Sequence, residues 1–160
     1  MRIAPFALER FFARYEFDVR YLLSASDCES VSLAELLELA DEESLRLWQD
    51  LSLGYTESQG HPLLRHEIAQ LYDLAEVDDI LVAAPEEAIF LLLNALLEPG
   101  DHVVVAFPAY QSLYEIPQSL GCQVSRWHLR PAEGGWHLDL DELRDCLTGR
   151  SRLLVVNFPH

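Results

Sequence analysis

Few stretches of this chain carry residue types at a spacing that could do chemistry, and most of them inform by exclusion. The first strand-to-helix turn reads Ala83-Ala84-Pro85-Glu86-Glu87, without the glycines that let a dinucleotide pyrophosphate approach the backbone. No lysine occurs anywhere, so a Gly-Lys-Ser/Thr phosphate loop is absent too. No Gly-x-Ser-x-Gly elbow follows a strand to present a nucleophilic serine. The six histidines are scattered, and His61 and His66 stand five apart, off the shared helix face that paired metal-ligating histidines use. No metal site is therefore expected. Cys28, Cys122 and Cys146 are odd in number and widely spaced, which argues against a disulfide framework and for a reducing compartment. All three are expected as small core hydrophobes.

Charge narrows the partners. The 11 basic residues are all arginine and face 27 acids, for a formal net charge of −16. No basic stripe exists to neutralise a phosphate backbone, so neither nucleic acid nor an anionic membrane surface is an expected partner. Carboxylates on solvated helix faces account for the acidity. Met1 to Phe17 carries Arg2, Glu9, Arg10, Arg14 and Glu16 among its apolar residues, which rules out an apolar signal core and reads as an amphipathic helix. The longest apolar run, Ala88 to Leu97, is interrupted by Asn94 and stops at Glu98-Pro99-Gly100, short of the roughly 20 residues of a membrane span. A cytoplasmic location is expected.

The elements that would position any site change character along the chain. Ser32 with Glu35 forms a capping-box pattern ahead of Leu33, Leu36, Leu37 and Ala40 on one helical face. A second helix is expected from Glu42 to Leu51. Gly54 to Gly60 breaks the periodicity, and Pro62 suits the first turn of another helix. From Asp79 onward, strands alternate with helices. Strands are expected at Ile80–Ala84, Val103–Phe107, Cys122–Leu129 and Leu153–Phe158, with helices from Pro85 to before Pro99, over Ala109–Leu120 with a break at Pro117, and over Leu140–Leu147 after a Gly134-Gly135 turn. Strands joined by helices imply right-handed crossovers, a largely parallel sheet and the α/β class.

Four segments in order carry a family resemblance. They are Gly54-Tyr55 to Gly60 with Pro62-Leu63-Leu64-Arg65 and Ile68-Ala69; Pro85-Glu86-Glu87-Ala88-Ile89-Phe90 with Leu96-Leu97-Glu98-Pro99-Gly100-Asp101-His102-Val103; Phe107-Pro108-Ala109-Tyr110; and Asn157-Phe158-Pro159-His160. Together they resemble the N-terminal part of the class I/II aminotransferases of the fold-type I superfamily, which depend on pyridoxal 5'-phosphate. The resemblance implies that fold, with a helical N-terminal segment followed by a mostly parallel, incomplete sheet. It also implies a division into residues 1–50, an arm and small-domain segment, and 51–160, the front of the cofactor-binding domain.

Roles follow from the same resemblance. Tyr110 would lay its ring on the cofactor's pyridine face, and Tyr55 would reach the cofactor phosphate of the neighbouring subunit in a homodimer. Backbone amides of Glu86 and Glu87 would receive the phosphate at a helix start, where the dipole favours an anion. Here the chain departs from its relatives, since Ala84-Pro85-Glu86 replaces a glycine and a hydroxyl donor, and Pro85 has no amide proton to offer. Two acids at a helix start are also what dipole complementarity favours with no ligand at all.

The resemblance further implies a lysine that binds the cofactor covalently, an aspartate on its ring nitrogen and an arginine for the substrate carboxylate, all downstream of the asparagine motif. Amino acids and 2-oxo acids would be the substrates of a full-length parent, while this lysine-free chain, with no catalytic residue assigned, should be inert alone. The chain stops directly after a buried strand, where an open α/β sheet places its ligand loop, and is expected to be the front of something longer. Other fold-type I enzymes, namely lyases, decarboxylases and oxoamine synthases, share these motifs. A non-catalytic scaffold or dimerisation module is the alternative of a different kind. An unpaired Ile80–Ala84 strand would leave the isolated chain marginal or aggregation-prone.

Overall fold

The computed structural model describes residues 3–24 and 28–158, and the chain divides into two compact units, Met1–Ala13 with Ala83–His160 and Arg14–Val82. Pro159 and His160 of the asparagine motif, and Met1 and Arg2 of the expected amphipathic helix, lie outside the described residues.

In the first unit, helix α1 (Ala7–Tyr15) begins at the amphipathic N-terminus and runs on into the second. The strand–helix alternation is built around strand β1 (His102–Phe107), whose residues Val103, Val104 and Val105 are 0% exposed. An unbroken apolar run is what a strand covered on both faces requires. Val103 and Val105 pack with Leu93 and Leu97 from helix α5 (Pro85–Leu96) and its end, and with Ile116 of helix α6 (Ser112–Ser119). On the opposite face, Val104 and Ala106 pack with Trp127 of strand β2 (Gln123–Ala132) and with Leu143 and Cys146 of helix α7 (Leu140–Cys146). The two-residue side-chain period of a strand thus sorts one valine run into two cores. Strand β3 (Gly135–Leu138) and strand β4 (Ser151–Val155) complete a sheet of order β3-β2-β1-β4. β1 is parallel to β2 and β4, and β3 is antiparallel to β2.

Several expectations shift. Ile80–Ala84 is not a strand. Its Val82 amide bonds the Gln59 carbonyl at 2.9 Å, but among the described residues no ladder partner reaches it, and strand geometry needs one. Beyond the expected Gly134-Gly135 turn, β3 is an additional strand, whose four residues acquire strand form from their pairing with β2 across a bend where Gly134 takes φ +88°. β4 starts two residues before the expected Leu153 and ends at Val155 instead of Phe158, because its register with β1 closes at Val105↔Val155. α6 begins at Ser112 rather than Ala109, after a loop that follows β1, and Pro117 sits inside the helix without breaking it. Of the cysteines, Cys122 is buried and Cys146 half-buried, but Cys28 is exposed, contrary to the expectation for all three.

The second unit is helical. Helix α2 (Leu33–Glu38) carries the expected capping box, with Glu35 N donating to Ser32 Oγ at 3.2 Å and Ser32 N to Glu35 Oε2 at 2.9 Å. Helix α3 (Glu42–Gln49) is capped by Asp41, which accepts from Ser44 N at 2.8 Å. Helix α4 (Pro62–Ala69) starts at proline as expected. Its Arg65, buried, donates from Nε to Ile80 O at 2.9 Å and from Nη2 to Val77 O at 2.6 Å, which ties α4 to the 3-10 turn Val77–Asp79 and the segment after it.

Candidate functional site

In the first unit, the loop after β1 and the start of α5 meet at the C-terminal end of the strand, the end where open α/β sheets bind ligands. Pro85 occupies the first turn of α5, and the N-cap residue Ala84 has no side chain to cap it. Ala88 N already bonds Ala84 O at 2.9 Å, so the amides of Glu86 and Glu87 are the donors this helix start can offer an anion. Both side chains are exposed. Glu86 turns toward α6, where its Oε1 accepts from Ser112 Oγ at 3.0 Å, and Ser112 is 0% exposed. A carboxylate held sideways in this way lessens the like-charge cost of an anion at the amides.

Tyr110 stands in the same loop, half-buried. Its hydroxyl donates to Glu9 Oε1 at 2.7 Å, and the Phe6 ring meets it edge-on at 6.3 Å and 86°. The Glu9 hydrogen bond, burial and the nearby Glu86 charge together push the phenol well above its ordinary range, so it keeps its proton at neutral pH. The next residue, Gln111, accepts from Ala7 N at 2.9 Å and donates to Pro5 O at 3.2 Å. The structure therefore brings Tyr110 and Glu86 together, with Glu87 on the adjoining amide. Tyr55 belongs to the other unit, fully exposed, along a hollow lined by Leu51, Gly54, Glu57 and His61.

Sequence reasoning missed Glu9, Phe6, Gln111 and Ser112. Ser112 could have been found from its place two residues past Tyr110. Glu9 lies 101 residues away and carries no local signal beyond the polar face of its helix. Elsewhere, His128 Nδ1 and Arg130 both reach Glu142, at 3.0 Å and 3.1 Å. Among the described residues no His, Cys, Asp or Glu group of three or more could hold a metal ion, and no helix is long and apolar enough to cross a membrane.

A mostly parallel sheet with helices on both faces, preceded by helices, is the architecture of the front of a fold-type I transferase. Residues 22–160 match aminotransferase class I and II, and the chain belongs to that family. It is 32% identical over 111 residues to the tyrosine aminotransferase of Mus musculus, covering 66% of this chain and 24% of the relative, and 53% identical over 74 residues to the capreomycidine synthase of Streptomyces vinaceus, covering 46% and 19%. Among solved structures it is similar to a PLP-dependent aminotransferase from Streptococcus suis 89-1591, with a TM-score of 0.84 at 32% identity over 96% of this chain and 42% of that one. It is also similar to the PLP-dependent cyclase OrfR, with a TM-score of 0.83 at 32% identity over 100% and 42%. The chain thus spans less than half the length of each. Pyridoxal phosphate is the cofactor that the family and these structures imply. The residues present fit it at the ring face of Tyr110 and at the two uncapped amides of α5, and with no lysine in the sequence they do not fit its covalent attachment.

Proposed function

We propose that these residues form the cofactor-binding front of an amino-acid aminotransferase, which exchanges an amino group between an amino acid and a 2-oxo acid in a full-length parent. Pyridoxal phosphate, when bound, supplies the electron sink for that exchange. This chain's contribution is binding and orientation. Tyr110 presents a flat face to the ring, and the Glu86 and Glu87 amides hold the phosphate with help from the α5 dipole. Glu86 keeps its carboxylate on Ser112, out of the amides' way. Tyr55, with its ring wholly in solvent, is assigned to the phosphate of a second subunit in a homodimer, and the parent to the cytoplasm. The chain alone carries no lysine and is inactive in this reading.

The observation that carries the proposal is the pairing of a positioned Tyr110 with the uncapped start of α5 at one end of β1. Equilibrium dialysis of the chain against pyridoxal phosphate tests it: binding that Tyr110→Ala weakens about tenfold supports it, and equal retention by both proteins sinks it. Incubation with amino acids and 2-oxo acids should show no transfer.

A second reading stands on the 53% identity with capreomycidine synthase and the likeness to a cyclase. In that reading the parent performs a different reaction on the same cofactor. Product analysis of a full-length parent with an amino acid, with and without a 2-oxo acid, separates the two: turnover that does not depend on the 2-oxo acid favours the second.

A further inference from the structure

The N-terminal segment is fastened to the Tyr110 loop in a way the family motifs do not require. Three hydrogen bonds and a ring contact run from residues 5–9 to two consecutive residues, Tyr110 and Gln111. The Gln111 amide group works as a two-pronged clip, with its oxygen taking the Ala7 N–H and its nitrogen donating to the Pro5 carbonyl. Ala7 opens α1, so its N–H has no partner within the helix, and Gln111 satisfies it from outside. With the segment clipped, Phe6 abuts the Tyr110 ring edge-on and Glu9 takes its hydroxyl at 2.7 Å.

A tyrosine side chain turns about two torsions. The Phe6 ring in a T-shaped contact and a carboxylate on the hydroxyl restrain both, which sets the plane of the ring. The other nearby carboxylate, Glu86, accepts from buried Ser112 and adds a smaller pull on the phenol, while Glu9 holds the hydroxyl at 2.7 Å and is the largest influence on it. The hydroxyl is thereby committed, and Tyr110 is left to act through its face.

We infer that Glu9 is a positioning residue for the cofactor site, acting through Tyr110, with Gln111 as the clip that brings it there; this rests on the reading of Tyr110 as the residue that faces pyridoxal phosphate. The segment over residues 5–9 is then part of the site, although it lies about a hundred residues away in the chain. The phenol's raised pKa agrees with it.

The experiment compares the full chain with Glu9→Ala, Glu9→Gln, Gln111→Ala and Tyr110→Ala. Two readouts are used: the affinity for pyridoxal phosphate by equilibrium dialysis, and the alkaline ultraviolet titration of the six tyrosines without any ligand. The expected result is that one tyrosine of the unsubstituted chain ionises last, and that Glu9→Ala lowers the pH at which it does so. Affinity falls about tenfold in Glu9→Ala, is largely restored in Glu9→Gln, whose amide oxygen still accepts from the hydroxyl, and falls severalfold in Gln111→Ala. Should Glu9→Ala fail to fold by circular dichroism, Glu9→Gln and Gln111→Ala carry the comparison. Unchanged affinity in Glu9→Ala and Gln111→Ala, beside a loss in Tyr110→Ala, overturns the positioning role alone. No binding by the parent chain, or none that depends on Tyr110, overturns the cofactor reading and this inference with it.

Discussion

Both units of this chain contain leucine-rich helices, but only one encloses them. In the unit built on β1, the run Val103–Val105 is wholly buried, with α5 and α6 on one face and α7 on the other. In the unit Arg14–Val82, α2 and α3 bury no residue completely, and Leu36, Leu39, Leu47, Trp48 and Leu51 are exposed. The buried residues of α4 are Arg65 and Ala69. One unit is held by apolar burial, the other by caps and by a single arginine that ties backbone to backbone. Hydrogen bonds of this kind give direction and contribute a modest net free energy, whereas burial scales with the area removed from water.

The contrast can be broken or sharpened by experiment. Leu93→Ala, in the core under β1, should cost about 2–5 kcal/mol, while Leu39→Ala, 82% exposed on the other unit, should stay within about 0.5 kcal/mol. Urea denaturation of both variants checks this, and comparable losses would mean that the helical unit is covered after all. Arg65→Met should cost about 1–3 kcal/mol by leaving the Ile80 carbonyl without its donor and the Val77 carbonyl with the Ile80 amide alone. Hydrogen exchange should show that loss over residues 76–82 and leave β1 protected. A loss spread across both units would contradict their separate stabilisation.

The smallest effect concerns acid. Glu142 is held below the ordinary carboxylate range by hydrogen bonds from Arg130 and then His128. A depressed folded-state value stabilises the fold above the unfolded carboxylate pKa of about 4.3, and that contribution fades as pH falls through the folded value. Glu142→Gln should therefore flatten the acid limb of a stability–pH curve and leave the curve above neutrality unchanged in shape. Urea midpoints across the pH range read it directly.

The residues show which signals are local. The Ser32 and Glu35 box, Pro62 and Pro85 at helix starts and the valine run of β1 were all legible, because capping, proline geometry and two-sided burial act over a few neighbours. The α/β class followed from the alternation of strand and helix patterns, and the family and its cofactor from motifs in order. Ile80–Ala84 has the composition of a strand but lacks a partner, and Trp136 to Leu138 lacks the length but has one. Pairing is a property of two segments, so neither outcome was readable from one.

The site divides along the same line. Tyr110 and the Glu86-Glu87 helix start were identifiable in the chain because each belongs to a contiguous motif. That Glu86 would rest on Ser112, that Gln111 would clip Ala7 and that Glu9 would take the Tyr110 hydroxyl depended on the chain returning to itself. A hydrogen bond between side chains 101 residues apart leaves no trace in spacing; only the packing of α5, α6 and the N-terminal segment at one end of β1 brings its donor and acceptor within reach.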